Sequence, residues 1–419
     1  MTSYRSLARN RDFTALWIGQ TISELGSHVS LFVFPLLAYA LTGSALLAAA
    51  VEALFLLGLA ATLLPAGVLA DRVDRRRLMR ISCGAGFVLY GSLVAAGLAD
   101  RITVVHLLTV ALLTGAATGL FEPAEIAAVR AVVRPDELTT ALSQNQARQH
   151  VARLLGGPLG GLLYGVTRWL PFAADALSYA VAWVLLGRIR TDLSAPERTG
   201  PPRRPREDLA IGFRYVATHP FIRVLMTWGA LSNLAVNALF FVAVLRLIQG
   251  GFDPVHIGLV STAAGMAGIL GAIAAPFVID RVATGHLTVA VAWSSVPLSI
   301  PMILWNHPAA VAFALSAGLF LSPAGNAGIG SYRIAITPAE LQGRVQSSMQ
   351  FSAVSIMPLA PVLGGVGLTL LGGPGAVAAL AALLAGVALI PTVSRTVRSV
   401  PKPAVWQQEL REAEVSTAR

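Results

Sequence analysis

Two carboxylates and a histidine stand inside apolar stretches where charged side chains are rare. Glu24 lies about eleven residues into the apolar run 14–40, which is roughly 16 Å along a helix. His28 follows one helical turn later on the same face, and Glu52 lies about 10 Å into the next run, 46–69. A carboxylate at such depth costs roughly 2.5 to 3.5 kcal/mol on insertion scales and usually faces a cavity or a partner. We therefore interpret all three as candidates for binding and releasing a proton, with structural hydrogen bonding between helices as the alternative.

Three asparagines also lie within apolar runs. Asn233 and Asn237 are one helical turn apart, and Asn326 stands in a later run. An amide in a lipid-exposed segment must find a hydrogen-bond partner. These side chains are candidates either for lining a substrate cavity or for joining neighbouring helices.

Small residues recur at regular spacing in two other apolar runs. Gly157 and Gly161 are four residues apart, and Gly265 and Gly268 are three apart. Stripes of this kind let helix backbones approach closely. The pattern predicts that the two runs touch along these glycines and form part of a seam between two halves of the chain.

Composition excludes most other chemistry. The 419 residues are 55% hydrophobic and 12% charged, about half the charge of an ordinary soluble chain. The single cysteine, Cys83, excludes an internal disulfide framework and a cysteine-based metal site, and the one lysine, Lys402, rules out a Walker-type phosphate loop. No zinc-protease or serine-hydrolase motif occurs. We expect a membrane protein that is not an enzyme and that holds no metal or other cofactor.

Apolar runs separated by helix-breaking or charged residues predict twelve transmembrane helices. The predicted spans are 14–40, 46–69, 79–98, 103–125, 147–167, 170–188, 222–248, 256–279, 287–305, 309–331, 349–371 and 375–394. If successive connections lie on alternate sides of the membrane, one side has three basic residues, Arg101, Arg168 and Arg246, and the opposite side has the other 28. Cytoplasmic loops are the ones enriched in basic residues, so both termini are predicted to be cytoplasmic. The net charge of +10 follows this membrane pattern, and we expect no nucleic-acid partner.

The predicted domains follow from a proline- and arginine-rich stretch near the middle of the chain, 190–206, which cannot bury an apolar face. We predict an N-terminal six-helix bundle, a cytoplasmic linker with an interfacial helix, a C-terminal six-helix bundle and a cytoplasmic tail. Their respective boundaries are 1–189, 190–220, 221–396 and 397–419.

The two halves repeat each other. An Asp-Arg pair ends spans two and eight, a Pro-x-Glu-Leu motif precedes spans five and eleven, and a Gly-Gly pair lies within those later spans. The copies are separated by 209, 203 and 204 residues, which indicates a duplicated six-span unit. Parallel repeats of this kind place a substrate near the bilayer midplane between halves that rock against each other. The predicted architecture is that of a transporter.

The stretch GVLADRVDRRR, residues 67–77, resembles the signature loop between spans two and three of the major facilitator superfamily, with Asp74 where a glycine is usual. The opening NRDFTALWIGQTISELG, the DALSY from Asp175 and TPAELQGRV from Thr337 resemble the branch that includes enterobactin-exporter-like and macrolide-efflux-like carriers. The resemblance implies an all-α fold of twelve membrane helices in two parallel-repeat bundles. It also implies that the loop latches the two halves, with an acidic partner at the end of span four. The implied latch residues are Gly67, Asp71, Arg72, Arg75, Glu122 and Glu125.

Two further patterns bear on mechanism. Residues 156–161, GGPLGG, resemble the end of the family's antiporter motif, with the proline one position later than usual. The residues Arg148, Gln149, His150 and Arg153 open span five, and we interpret them as anchors that extend toward the membrane interface. Asp175, early in span six, is interpreted as fixing helix packing.

Together these features predict a proton-coupled secondary exporter of the inner or plasma membrane. It would move an amphipathic drug, siderophore or natural product by alternating access and work as a monomer in the lipid bilayer. An importer of a metabolite on the same fold is one alternative, and a non-transporting membrane scaffold or sensor is another. A scaffold would not need Glu24 and Glu52 at depth.

Overall fold

The computed structural model describes residues 6, 7, 9–70, 73–134, 137–194, 205–408 and 412, and within these ranges it contains helices and no strand. Asp71 and Arg72 of the predicted latch, and residues 195–204 of the predicted linker, lie outside the described residues. In chain order the helices are α1 (Arg11–Thr42), α2 (Ala45–Ala70), α3 (Arg75–Leu98), α4 (Val104–Val132), α5 (Leu138–Val166), α6 (Leu170–Arg188), α7 (Pro205–Thr218), α8 (Pro220–Gln249), α9 (Pro254–Ile279), α10 (Thr284–Leu298), α11 (Ile300–Leu304), α12 (Pro308–Ile336), α13 (Ala339–Ile356), α14 (Leu359–Val393) and α15 (Arg395–Arg398).

Ten helical stretches among the described residues are long and apolar enough to cross a bilayer. One of them, Glu340–Val393, has 54 residues and supplies two crossings, because Gly372 breaks α14 with φ of 70°. The 29-residue α5 falls outside the ten, since its first half is polar, but its second half is the glycine-rich apolar run. Counted over the described residues, these stretches give twelve membrane helices, as the sequence predicts.

Local capping explains where several helices begin and end. The side chain of Asn10 accepts hydrogen bonds from the backbone N–H groups of Asp12 and Phe13, which starts α1. Gly43 ends the same helix in the left-handed conformation, with φ of 64°. Asp74 accepts from the N–H of Arg76 at 2.8 Å and so caps α3.

The described chain divides into two compact units, residues 1–202 with 251–262 and residues 203–250 with 263–419. In the first unit α1, α3 and α6 enclose a stack of aromatic rings. The centroid of Tyr90 lies 6.2 Å from Phe172 and 5.8 Å from Tyr179. Asp175 is fully buried nearby and accepts a 3.1 Å hydrogen bond from the hydroxyl of Ser178. This placement agrees with a packing role for Asp175.

In the second unit the chain beyond the last span folds back onto the helix ends. Val397, Val400 and Trp406 are buried with Phe221 of α8. The ring of Tyr332 makes edge contacts with Phe221 at 5.1 Å and with Trp406 at 5.5 Å. Part of the predicted tail is thus packed against the bundle.

The interfacial helix predicted after the linker is α7, and it also packs in the second unit. Val216 is buried, and Phe213 meets Phe351 edge to face at 6.3 Å. A side chain at Gly212 would clash with Ser348 and with the backbone of Arg344 in α13. Glycine therefore allows α7 and α13 to cross closely.

Candidate functional site

A buried arginine in α5 binds two carboxylates from two other helices. The Nη2 of Arg148 donates to Glu125 of α4 at 2.7 Å and lies 3.2 Å from Glu24 of α1. The Arg148 side chain is 1% exposed, against 22% for Glu24 and 10% for Glu125. The interpretation of Arg148 as an interfacial anchor is therefore wrong, because its guanidinium is enclosed by protein and paired.

The charges in this cluster do not balance. Two carboxylates share one guanidinium, and both use the same nitrogen of Arg148. The Nε and Nη1 atoms of Arg148 are buried, and neither has a hydrogen-bond partner among the described residues. Because a buried unpaired charge is far more costly than a paired one, the geometry leaves one of the two carboxylates without a guanidinium of its own among these three residues.

The position of Arg148 follows from the faces of the helices. Arg148, Ala152 and Gly156 are spaced four residues apart on α5, and all three are buried. A Cβ at Gly156 would lie 2.5 Å from the Cβ of His28, so α5 and α1 cross closely there. This crossing brings Arg148 to the face of α1 that carries Glu24, one turn before His28.

The remaining acid and histidine candidates lie outside this cluster of ion pairs. His28 is half-buried, and no hydrogen bond or ion pair of its ring is found in the described part of the chain. The same holds for the carboxylate of Glu52 in α2. Glu122 lies one turn before Glu125 and is exposed on α4. The structure thus brings together Glu24 and Glu125 but joins neither Glu52 nor His28 to them.

The described part of the predicted latch is small. Gly67 lies near the end of α2, and Arg75 is the first residue of α3. The backbone N–H of Arg75 donates to the carbonyl of Leu193 at 3.2 Å. Glu125, one of the two implied acidic partners of the latch, is held by Arg148.

The three asparagine candidates bond within their own helices. Asn233 and Asn237 donate to the carbonyls of Gly229 and Asn233, both at 2.8 Å, and Asn326 donates to Ser322 at 3.1 Å. Asn233 and Asn326 are exposed and Asn237 is half-buried. No hydrogen bond from these amides to another helix is found among the described residues. Hydrogen bonding of these amides between helices is thus not observed in the described part of the chain, and lining of a substrate cavity stays a prediction.

The glycine stripe of α5 meets the beginning of α9 inside the first unit. A Cβ at Gly157 would lie 3.0 Å from the carbonyl oxygen of Gly258, and one at Gly161 would lie 2.5 Å from that of Pro254. The hydroxyl of Thr262 donates to the carbonyl of Leu154 at 2.8 Å. Across these three pairs the residue number in α5 rises as the residue number in α9 falls, so the two helices run antiparallel in close contact.

The other two predicted glycines lie farther along α9, in the second unit. Gly268 has a looser environment, with the carbonyl oxygen of Leu319 at 3.9 Å from its Cβ position. Gly265 is three residues earlier in the same helix. The close partners of Gly157 and Gly161 are thus Gly258 and Pro254. Packing of all four glycines along one seam between the halves stays a prediction.

Replacing Gly161 with leucine should impair transport at least tenfold while leaving membrane insertion nearly unchanged. The new side chain would meet the backbone of Pro254 and Val255, which cannot move aside as a flexible side chain can. Transport into proteoliposomes and the yield of purified protein measure the two effects. Gly165→Leu is the matched control, because no atom lies within 4 Å of the Cβ position there. Equal transport by both variants would show that close approach of α5 and α9 is not required.

Comparison with known proteins decides the family. The family model described as Major Facilitator Superfamily matches residues 16–351. The chain belongs to the Major Facilitator Superfamily. It is accordingly an integral membrane transporter of small molecules and not an enzyme. The resemblance and the fold predicted from the sequence are both confirmed.

Individual relatives of this superfamily member are distant. The multidrug efflux pump Tap of Mycolicibacterium fortuitum is 26% identical over 359 residues, covering 81% of this chain and 85% of Tap. A crystal structure of the nucleoside transporter NupG matches with a TM-score of 0.73 at 10% identity, covering 91% of this chain and 98% of that one. A bacterial homologue of the lysosomal transporter Spinster matches with a TM-score of 0.70 at 14% identity, with 94% and 98% covered. The two solved structures support the shared fold.

Proposed function

We propose that this transporter is a proton-coupled exporter that moves an amphipathic small molecule outward across the inner or plasma membrane. The observation that carries the proposal is Arg148, which is buried and paired with both Glu24 and Glu125. A site for an exchangeable proton needs a carboxylate whose interactions with neighbouring groups change when it is protonated. Two carboxylates that share one guanidinium provide this.

The coupling mechanism follows from competition for Arg148. When Glu24 is protonated, Arg148 and Glu125 form a neutral pair, and the cluster carries no net charge. When Glu24 loses its proton, it competes with Glu125 for the same nitrogen of Arg148 and leaves an excess negative charge where the dielectric constant is low. Since the three groups come from α1, α5 and α4, proton binding changes the forces between these helices. A substrate that binds better in one arrangement is then coupled to the proton.

Export is favoured over import by the relationship to Tap, whose name describes a multidrug efflux pump. The cavity candidates, Asn233, Asn237 and Asn326, carry no charge and add amide groups to apolar helices. Such a lining suits a ligand bound mainly by shape, with a few hydrogen bonds. An amphipathic substrate fits this description better than a strongly charged metabolite does.

The orientation that we propose places both termini in the cytoplasm, because basic residues concentrate on that side. The exporter would act as a monomer. In the mechanism that we propose, the latch at the cytoplasmic side forms and breaks as the transporter opens to either side of the membrane by alternating access.

The latch supplies a further test. Asp71→Asn should remove most transport, at least tenfold, while the protein stays inserted and folded, because the proposed latch requires a negative charge at this position to attract the partial positive charge at a helix N-terminus. Asp74→Asn is the control, since asparagine caps a helix as well as aspartate does and Asp74 caps α3. Rates are measured in reconstituted vesicles. An unchanged rate for Asp71→Asn would refute the latch.

The proposed function is tested with purified protein in proteoliposomes and a panel of fluorescent amphipathic probes that includes ethidium. With an acidic lumen, inside-out transporters should accumulate a probe against its gradient, and nigericin in potassium buffer should abolish this accumulation. Cells that express the protein should retain less probe than cells that do not. Accumulation that survives loss of the pH gradient would contradict proton coupling, and greater retention by expressing cells would contradict export.

A further inference from the structure

The carboxylate of Asp12, at the start of α1, binds the chain that follows α6. It accepts hydrogen bonds from the backbone N–H groups of Arg190 at 3.1 Å and Thr191 at 2.7 Å. The hydroxyl of Thr191 donates to the same carboxylate at 2.6 Å. Three donors from two consecutive residues therefore converge on one charged acceptor, which makes each bond stronger than a neutral one.

The same segment also binds the beginning of α3, which includes Arg75 of the predicted latch. The guanidinium of Arg76 donates to the carbonyl of Thr191 at 2.7 Å, and the N–H of Arg75 donates to that of Leu193. Leu193 is 1% exposed, so the segment is packed as well as hydrogen-bonded. Asp12 thus holds the residues on which Arg75 and Arg76 rest.

The second half of the chain repeats the backbone part of this arrangement. At the start of α10, Thr284 donates to the carbonyl of Pro401 at 3.3 Å and Gly285 donates to that of Val400 at 3.0 Å. Thr284 follows Arg75 by 209 residues, and the same offset from Asp12 leads to Phe221, which has no carboxylate. The first half, in which the segment after α6 continues into the second half of the chain, therefore carries an aspartate at this position. The second half, in which the corresponding segment leads to residues 402–419, carries the buried and apolar Phe221 instead.

We infer that Asp12 is a positioning residue that fixes the start of the linker to the first unit and thereby holds Arg76 at the start of α3, next to Arg75 of the predicted latch. Ten residues, 195–204, connect this fixed segment with α7, which packs in the second unit. Releasing residues 190–194 would lengthen the connection to fifteen residues and remove the carbonyl that holds Arg76. The effect of this release on transport rests on the proposed function, whereas the anchoring itself does not.

Hydrogen exchange of the full-length protein in detergent micelles, followed by mass spectrometry, tests the anchoring without any transported compound. In Asp12→Asn, peptides covering residues 189–194 and 73–77 should exchange roughly tenfold faster or more, because a charged acceptor is lost. Thr191→Val, which deletes one hydroxyl donor and keeps the backbone bonds, should show a smaller increase at the same peptides. The peptide that contains Thr284 and Gly285 should not change in either variant.

The matched control is Asp253→Asn, which replaces an aspartate that also accepts an N–H bond at a helix start, from Val255 at 2.7 Å. It should leave peptides 189–194 and 73–77 unchanged. In proteoliposomes that transport ethidium, Asp12→Asn should lower the maximal rate severalfold at unchanged half-saturating concentration. Wild-type exchange at residues 189–194 in both Asp12→Asn and Thr191→Val would overturn the inference. If wild-type protein shows no proton-driven transport, the proposed function fails, yet the exchange result still decides the anchoring.

Discussion

Replacing Arg148 with methionine should abolish proton-driven transport and destabilise the protein. Methionine matches the length of the arginine stem but removes the ion-pair partner of both Glu24 and Glu125. Breaking a buried ion pair by removing one partner costs roughly 3 to 5 kcal/mol, since a buried charge is left uncompensated. Thermal unfolding in detergent and uphill accumulation of ethidium in proteoliposomes measure the two effects. We expect transport to fall at least a hundredfold.

Two further variants separate folding from function. The triple variant Arg148→Met, Glu24→Gln and Glu125→Gln removes all three charges, so it should recover most of the lost thermal stability but none of the uphill transport. Arg153→Met changes an exposed arginine on the same helix that lies near Glu24 but forms no ion pair with it, and it should reduce transport far less than Arg148→Met does. Wild-type transport by the single Arg148→Met variant would show that the ion pairs have no part in the cycle.

Replacing Glu24 with glutamine should abolish uphill transport while downhill exchange of the probe persists. Glutamine resembles the protonated carboxyl group, so Arg148 stays paired with Glu125 throughout the cycle. The helices can still move with substrate, but no proton is released. Both modes are measured in the same proteoliposomes, with a pH gradient for uphill transport and equal pH for exchange.

Glu52→Gln and the double variant Glu24→Gln with Glu52→Gln accompany this measurement. Glu52 has no ion pair among the described residues, so its replacement should leave uphill transport nearly intact. If Glu52→Gln alone removes uphill transport, the proton is carried by Glu52. If all three variants retain it, neither carboxylate carries the proton.

Much of the fold is readable from the sequence because a bilayer imposes strong constraints. Apolar runs of about 20 residues, Asp-Arg pairs 209 residues apart and the side preference of arginine predict twelve spans in two repeats. The boundaries are less predictable. α1 begins at Arg11 and not at residue 14, because Asn10 caps it, and α5 begins at Leu138 in polar sequence well before the apolar run.

The candidate site is only partly readable from the sequence. The depth of Glu24 singles it out, because a carboxylate so far into an apolar run is costly. Its pairing with Arg148 depends on the crossing of three helices separated by up to 124 residues, which no local pattern encodes. The spacing of Arg148, Ala152 and Gly156 gives a weak indication of this pairing. These residues share one face of α5, and a face with small residues is one that packs against a neighbouring helix. No sequence pattern indicates the hydrogen bonds of Asp12 to residues 190 and 191, because the donors are mainly backbone groups.

The most direct test of proton coupling at Glu24 follows proton and probe movement together. Proteoliposomes that contain the pH indicator pyranine are loaded with ethidium and diluted, so that ethidium leaves down its gradient. In wild-type protein, ethidium efflux should drive protons in the opposite direction and acidify the lumen. In Glu24→Gln, ethidium should leave at a comparable rate with no change in luminal pH. Equal acidification by the variant, or ethidium efflux without acidification by the wild type, would contradict the assignment of the exchanged proton to Glu24.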